Sequence, residues 1–314
     1  MKCRRKAEKK VDTPKNERSE NMDLKSSFQE KLRSKQFLIT GEISPPKGTD
    51  VSTAFENMEK IRKFADAINV TDNQCATLHM SSLAFSRLIL DAGYPDPIMQ
   101  MTCRDRNRIG LQADLLGAAA FGIKNILVMS GDHPKCGDHP MAKPVYDVDS
   151  VQLLKTIQTM KAGTDFAGNA LFKAPEFCVG VVSNADPTEK LQIMKLKKKL
   201  SFDIDFIQTQ AVYDVEKFKE FMEMIDTDIP VIAGIIPIRS TRMVQYMNNN
   251  IPGIFIPEEI GERIKTSEDP VKEGMIIAAE LMTQLKSVCR GIHIMPVGPH
   301  ANTKKILKKA HILK

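Results

Sequence analysis

Two carboxylates fall where a carboxylate is costly. Glu42 sits inside Phe37-Leu-Ile-Thr-Gly-Glu-Ile43, an otherwise apolar and β-branched run, and Ser-Pro-Pro follows directly. An acid in a buried strand must be paired or protonated, because desolvation disfavours its charge. The two prolines remove amide donors that could hold the anion. A carboxyl denied donors and water has the raised proton affinity that a general acid needs near neutral pH. The competing reading is a structural glutamate paired to an arginine. Asp132 ends a second such run, Asn125-Ile-Leu-Val-Met-Ser-Gly-Asp132. It either brings a second carboxylate to the same cavity or caps a turn.

The loop after that run repeats itself: Gly131-Asp-His-Pro134 returns as Gly137-Asp-His-Pro140, with His133, Cys136 and His139 spaced three apart. A metal centre there would want three or four ligands with supporting outer groups, and no further cluster is visible, so no metal is expected. The second GDHP reads as turn chemistry. Lys197-Lys-Lys199 reads as a solvated helix face, although helical spacing sends the three side chains in different directions and can bring one to a phosphate. His79, His293, His300 and His311 read as structural or surface residues.

These groups need a frame. Apolar runs at Phe37–Ile43, Ala67–Thr71, Ile98–Cys103, Asn125–Ser130, Phe177–Ser183, Asp205–Thr209, Pro230–Ile236 and Gly291–Pro296 have the near-continuous apolarity of strands covered on both faces. Between them, Val51–Ala65, Met80–Ala92, Arg108–Phe121, Asp149–Lys161, Pro187–Leu200, Val215–Ile225, Thr241–Asn249 and Asp269–Cys289 carry helical stripes. Gly122 is placed to cap the third of these helices, and Ser183-Asn-Ala-Asp186 with Pro187 to start the fifth. Parallel strands need helical crossovers, so the alternation predicts an α/β chain forming a single (β/α)8 TIM barrel. No GxGxxG follows an early strand, which removes the main support for a dinucleotide-binding open sheet. Polar residues then gather at the strand ends, where such barrels do chemistry.

Composition sets the class. With 42% hydrophobic and 27% charged residues among 314, the chain reads as globular. The net charge of +6 gathers in the first 25 residues, in Lys195–Lys199 and in Lys304–Lys309, so nucleic-acid binding is not expected. The six cysteines are scattered without a CxxC pair, which predicts reduced thiols and a cytoplasmic setting. No membrane span is expected, and the basic start lacks the apolar stretch of a signal peptide. Residues 1–30 are expected to form a basic mobile arm, 31–300 the barrel, and 301–314 a basic C-terminal helix or tail.

From Phe37 to Pro296 the chain resembles the flavin-dependent methylenetetrahydrofolate reductases of the short bacterial type. Gly41-Glu-Ile-Ser-Pro-Pro46, Met101-Thr-Cys-Arg-Asp105, Leu115 to Asp132, and Gln210 four residues before Asp214 carry the likeness, in order and on successive strand ends. The resemblance implies a barrel that reduces 5,10-methylenetetrahydrofolate to the 5-methyl form by hydride transfer from reduced flavin. It assigns Glu42 as the acid that protonates N10, and Asp132 as the aspartate beside the flavin pyrimidine edge. Thr71, Gln100, Ser130, Gly131, Val182, Asp186 and Lys199 fall on cofactor-binding positions, Lys199 near the flavin phosphates. Gln210, with Glu42, falls on the substrate side. FAD is the implied cofactor, with FMN as the alternative, and NAD(P)H the implied reductant. A cysteine-rich partner subunit or an electron-donor protein could take the place of NAD(P)H, and a homo-oligomer is expected.

The chain departs from the pattern in four places. Ser130 stands where many relatives have arginine and Gln100 where they have histidine. Met243 and Met247 replace a glutamine and an aromatic, and Pro296-Val-Gly-Pro299 lacks an arginine aimed at the folate tail. Two rival functions are a non-redox pterin-binding barrel for methyl transfer and a non-catalytic subunit of a larger one-carbon complex.

Overall fold

A computed structural model describes residues 28–251, 253–296 and 300–313. The expected arm before Phe28 and three residues of the arginine-lacking segment, Val297, Gly298 and Pro299, lie outside the described residues. The strands are β1 (Leu38–Ile43), β2 (Ala67–Val70), β3 (Asp96–Thr102), β4 (Asn125–Met129), β5 (Cys178–Ser183), β6 (Phe206–Ala211), β7 (Val231–Ile235) and β8 (Gly291–Ile294). They pair in parallel, each with its sequence neighbours, and β8 returns to β1 to close a barrel. The (β/α)8 expectation holds.

Helices α1 (Phe28–Arg33), α2 (Ser52–Ile61), α3 (Ser82–Asp91), α4 (Arg108–Ala120), α5 (Ser150–Lys161), α6 (Lys190–Leu200), α7 (Val215–Ile225), α8 (Thr241–Asn250), α9 (Glu258–Thr266), α10 (Pro270–Leu285) and α11 (Thr303–Lys309) complete the chain. The reason α5 starts where it does is a reciprocal cap, with the Asp149 carboxylate taking the Gln152 amide and the Gln152 side chain taking that of Asp149. Gly122 follows the α4 cap, as expected. Beyond shifts of a few residues at several element ends, α6 and α9 differ from the expectation. The α6 helix begins at Lys190 rather than Pro187, because the Asp186 carboxylate instead takes the amide and hydroxyl of Thr188 at 2.8 and 2.6 Å and closes a separate turn. Helix α9 had no counterpart in the sequence reading, since only Ile264 of its nine residues is buried and the apolar stripe is too thin to register.

The interior changes character along the barrel axis. At the floor Leu38, Ala67, Ile98, Leu127, Cys178, Phe206 and Ile232 form one apolar layer, closed from below by Phe28 and Leu32 of α1. Phe28 meets the Phe206 ring edge-on at 5.4 Å, and its amide donates to Asp96 Oδ2 at 3.0 Å. Helix α1 thus begins inside the segment expected to be mobile arm. Gly180 makes room for this floor: a Cβ there would sit 2.2 Å from Cζ of Phe206. One pleat higher the inward positions turn polar, with Thr40, Asn69, Gln100, Gln208 and His293 all buried. Alternation along each strand sends these side chains inward while their neighbours pack against the helices. Helix α11 packs on α2 and α10 and buries Ile306 and Leu307, so the expected C-terminal element is a helix.

Candidate active site

Glu42 lies on β1 at the top of the polar layer, its side chain 13% exposed. Donors reach it from three directions. Gln74 Nε2 approaches Oε1 at 3.4 Å, Gln100 Nε2 approaches Oε2 at 3.4 Å, and His293 Nε2 lies 3.5 Å from Oε2. The prolines do remove backbone donors, but side chains from β3, β8 and the β2 turn take their place. The expectation of a carboxyl denied donors was therefore too strong. No arginine pairs with Glu42 among the described residues. Its carbonyl accepts from His300 Nε2 at 2.7 Å, and burial holds the His300 imidazole below its ordinary proton affinity.

Gln74 is presented by a strained turn. Asn73, Cys75 and Ala76 all have left-handed φ, between 50° and 54°, a cost of order 1–3 kcal/mol per residue that needs support from its surroundings. The Cys75 thiol is pushed up first by burial and then by the carboxylates of Asp132 and Glu42. Both carboxylates therefore lie near the Cys75 thiol. Asp132 is exposed there, and its carbonyl accepts from Arg104 Nη1 at 3.3 Å.

The other expected residues divide. Thr71 is 1% exposed and its Oγ1 has no hydrogen-bond partner. Gly131 has φ of 83°, and a Cβ there would come within 2.9 Å of the Thr102 Cβ, so only glycine fits this turn. Ser130 Oγ lies 3.4 Å from Lys195 Nζ, and Lys199 Nζ donates to the Val182 carbonyl at 2.8 Å. Gln210 uses Oε1 on the amide of Ala211 at 3.0 Å, and Asp186 is occupied with Thr188. Met247 is buried in the core at 2% exposure.

Of the lysine run, Lys197 and Lys198 are exposed and Lys199 alone turns inward, where Lys195 joins it one helical turn earlier. Burial first, and then the neighbouring Lys195 charge, hold the Lys199 ammonium down at about 8. The unfolded chain therefore binds more protons than the folded one between about pH 8 and the ordinary value of 10.5. Stability then rises with pH across that window, and the penalty is fully present below it. Lys199→Met is expected to flatten the rise and to exceed wild type by on the order of 2 kcal/mol near pH 7. Urea unfolding of the flavin-free chain on either side of the window measures this, and a wild-type curve as flat as the variant's would refute it.

The second GDHP has a mechanical role. Asp138 accepts from Lys47 Nζ at 2.8 Å and from the Leu78 amide at 3.1 Å, tying the loops after β1, β2 and β4 together. His133 and His139 are spent on local contacts to Lys135 and Asp138. Among the described residues no group of three or more His, Cys, Asp or Glu could hold a metal ion. None of the described helices is long and apolar enough to cross a membrane.

Sequence reasoning missed Asn69, Gln208, His293, Lys195 and Gln74. The signal was parity: Asn69, Gln208 and His293 stand two residues from Thr71, Gln210 and Gly291, on the same face of their strands.

The site bears on a flavin through three observations. Thr71 carries an orphaned buried hydroxyl, Gly131 lets backbone approach the mouth, and Lys195 with Lys199 offers two neighbouring amines whose mutual repulsion a phosphate would relieve. These residues fit that cofactor.

A closed parallel barrel with an acid and a cation pair at its polar mouth defines the class, a (β/α)8 barrel of the enzyme type. The family described as Methylenetetrahydrofolate reductase matches residues 27–311, and the chain belongs to it. It is 24% identical over 291 residues to Methylenetetrahydrofolate reductase 1 of Schizosaccharomyces pombe, covering 87% of this chain and 45% of that protein. Methylenetetrahydrofolate reductase 2 of Saccharomyces cerevisiae is 31% identical over 197 residues, covering 60% and 30%. The chain thus spans less than half the length of these relatives. Among solved structures, a protein from Clostridium thermocellum that binds two copies of 5-methyl-5,6,7,8-tetrahydrofolic acid superposes with a TM-score of 0.60 at 16% identity, over 91% of this chain and 98% of that one. That likeness is one of fold.

Proposed function

We propose that this barrel reduces 5,10-methylenetetrahydrofolate to 5-methyltetrahydrofolate, with a flavin as hydride carrier. Family membership supports the reaction, and the observation that carries the reading is Glu42, an acid set among side-chain donors over a polar barrel interior and open to the mouth. The folate that the Clostridium thermocellum protein binds agrees with the substrate class.

When bound, the flavin supplies a hydride. The chain does the rest. Glu42 holds the proton that N10 takes as the five-membered ring opens, leaving the one-carbon unit on N5 as an electrophile. One hydride and one proton then account for the change from methylene to methyl. Asp132 would set negative charge beside the flavin pyrimidine edge, where it favours the developing cation on the substrate. Lys195 and Lys199, with Ser130, would hold the phosphates of FAD or FMN. Thr71, Gln100, Gly131 and Val182 would line the ring, and Gln210 would meet the folate. Asp186 would serve the cofactor through the oxygen that Thr188 leaves free.

NADH or NADPH is the proposed reductant, in keeping with relatives named for each, in Arabidopsis thaliana and Caenorhabditis elegans. An electron-donor protein is the other source. The test is anaerobic. Protein loaded with flavin and reduced with dithionite is mixed with methylenetetrahydrofolate, and the flavin absorbance is followed. Return of the oxidised spectrum with formation of the 5-methyl product is expected. A flavin that stays reduced, or a chain that takes up no flavin, would favour a non-redox pterin barrel instead.

A further inference from the structure

Beneath Glu42, and so far without a role, lies His293. It is fully buried on β8, in register with Thr40 of β1. Its Nδ1 lies 2.9 Å from Thr40 Oγ1 and 3.3 Å from Asn69 Nδ2. Asn69 Nδ2 also donates to Gln208 Oε1 at 3.1 Å, across the interior from β2 to β6. With the Asn69 amide nitrogen donating to Gln208, it is that nitrogen which faces His293. An amide nitrogen cannot accept, and therefore Nδ1 does. The ring proton of the neutral imidazole then sits on Nε2, which has no hydrogen-bond partner and lies 3.5 Å from Glu42 Oε2.

We infer that His293 is the positioning residue of Glu42: its Nε2–H, with the Gln100 amide, engages Oε2 from inside the barrel and leaves Oε1 as the oxygen that carries the proton toward the mouth. The inference rests on the reading of Glu42 as the acid. Its chemistry is consistent in both states. Oε2 meets two donors from inside the barrel, whereas Oε1 meets only the exposed Gln74 amide, so the exchangeable proton belongs to Oε1. The imidazole in turn is fixed by Thr40 and Asn69, which in their turn are held by the barrel strands. Buried metal-free histidines act this way when one ring nitrogen is committed as acceptor, because that commitment orients the other as donor.

Two variants separate the parts of the ring. Asparagine at this position reaches Thr40 and Asn69 but not Glu42, whereas the longer glutamine places a donor where Nε2 was. In the flavin-loaded protein, His293→Asn is expected to slow folate-driven flavin reoxidation about ten- to a hundredfold, the cost of a misplaced group. The folate concentration giving half-maximal rate should stay unchanged, and His293→Gln should recover much of the rate. A second readout needs no turnover. Long-range nitrogen-15 spectra of histidine-labelled wild type, assigned by the signal lost in either variant that folds, should show Nδ1 bare and Nε2 protonated. A wild-type rate in His293→Asn beside an inactive Glu42→Gln would overturn this inference and leave the acid reading standing. A proton on Nδ1 would overturn it too. A Glu42→Gln variant with wild-type rate would remove the acid reading, and the inference with it.

Discussion

Glu42→Gln is expected to leave the flavin reducible while slowing its reoxidation by methylenetetrahydrofolate about 10²- to 10⁴-fold, the usual contribution of a positioned acid. The substitution is nearly isosteric: with the new carbonyl oxygen at the Oε2 position Gln100 and His293 keep an acceptor, only the exposed Gln74 loses one, and the fold should persist. What is lost is the proton that N10 must receive. The half-reactions separate the effect: dithionite bleaching should match wild type, and only the folate step should fail. Because an amide cannot supply that proton at any pH, raising or lowering pH should not restore the rate. A variant that reoxidises its flavin within about threefold of wild type would show that the acid lies elsewhere.

The second large effect is one of stability. Asp72, at 4% exposure, receives the Thr102 amide at 2.8 Å and the Thr102 hydroxyl at 2.9 Å, and pairs with Arg106. Arg106 reaches on to Asp114 at 2.9 Å, and the adjacent Arg104, 2% exposed, pairs with Asp105 and donates to the carbonyls of Asp72 and Asn73. Asp72→Ala removes one member of this buried set. The Thr102 amide loses its acceptor, and Arg106 keeps only Asp114 and the Thr102 carbonyl. Breaking a buried pair from one side costs about 3–5 kcal/mol, because the remaining charge stays desolvated. For a chain of this size that corresponds to a melting temperature lower by roughly 5–8 °C. Urea denaturation should show the midpoint falling at unchanged m. A loss below about 1 kcal/mol would mean that water reaches Arg106 and that the network is a surface one. The effect should extend to the mouth, since Thr102 is the residue against which Gly131 packs.

The two predictions probe different layers of one design. The Glu42 acid tests chemistry at the top of the barrel, while the Asp72 network tests the loops that hold the mouth in shape. Arg104 links them, since its guanidinium binds the carbonyls of Asp72 and Asn73 on the β2 side and of Asp132 on the β4 side. It is the largest fully buried side chain of the described residues. A guanidinium can bind these carbonyls from one planar fork, which no lysine could reproduce.

The barrel was legible in the sequence because strand–helix alternation and apolar patterning are local properties. Each run of β-branched residues declares a strand on its own, and each amphipathic stripe a helix. Glu42 and Asp132 were legible for a related reason: a carboxylate inside or at the end of an apolar run is conspicuous without any knowledge of its neighbours. Gly131 and the inward lysine of the 197–199 run were readable as possibilities, since turn type and helical spacing are also local.

What closed around those residues was not local. His293, Asn69 and Gln208 are far apart in sequence, and each by itself looks like an ordinary polar residue in a strand. They meet only because barrel closure sets β8 beside β1 and sends β2 and β6 side chains across one interior. The donors to Glu42 likewise come from β3, β8 and the turn after β2, so the environment of the acid depends on register between strands, which no single run encodes. Helix α1 was read as arm because its value lies in one ring, Phe28, fitting a floor that exists only once the strands have closed. The sequence by itself therefore determined which elements form and where acids and cations stand along them. Only the tertiary structure decided which polar groups share the interior, because that choice is made by the shear and closure of the barrel.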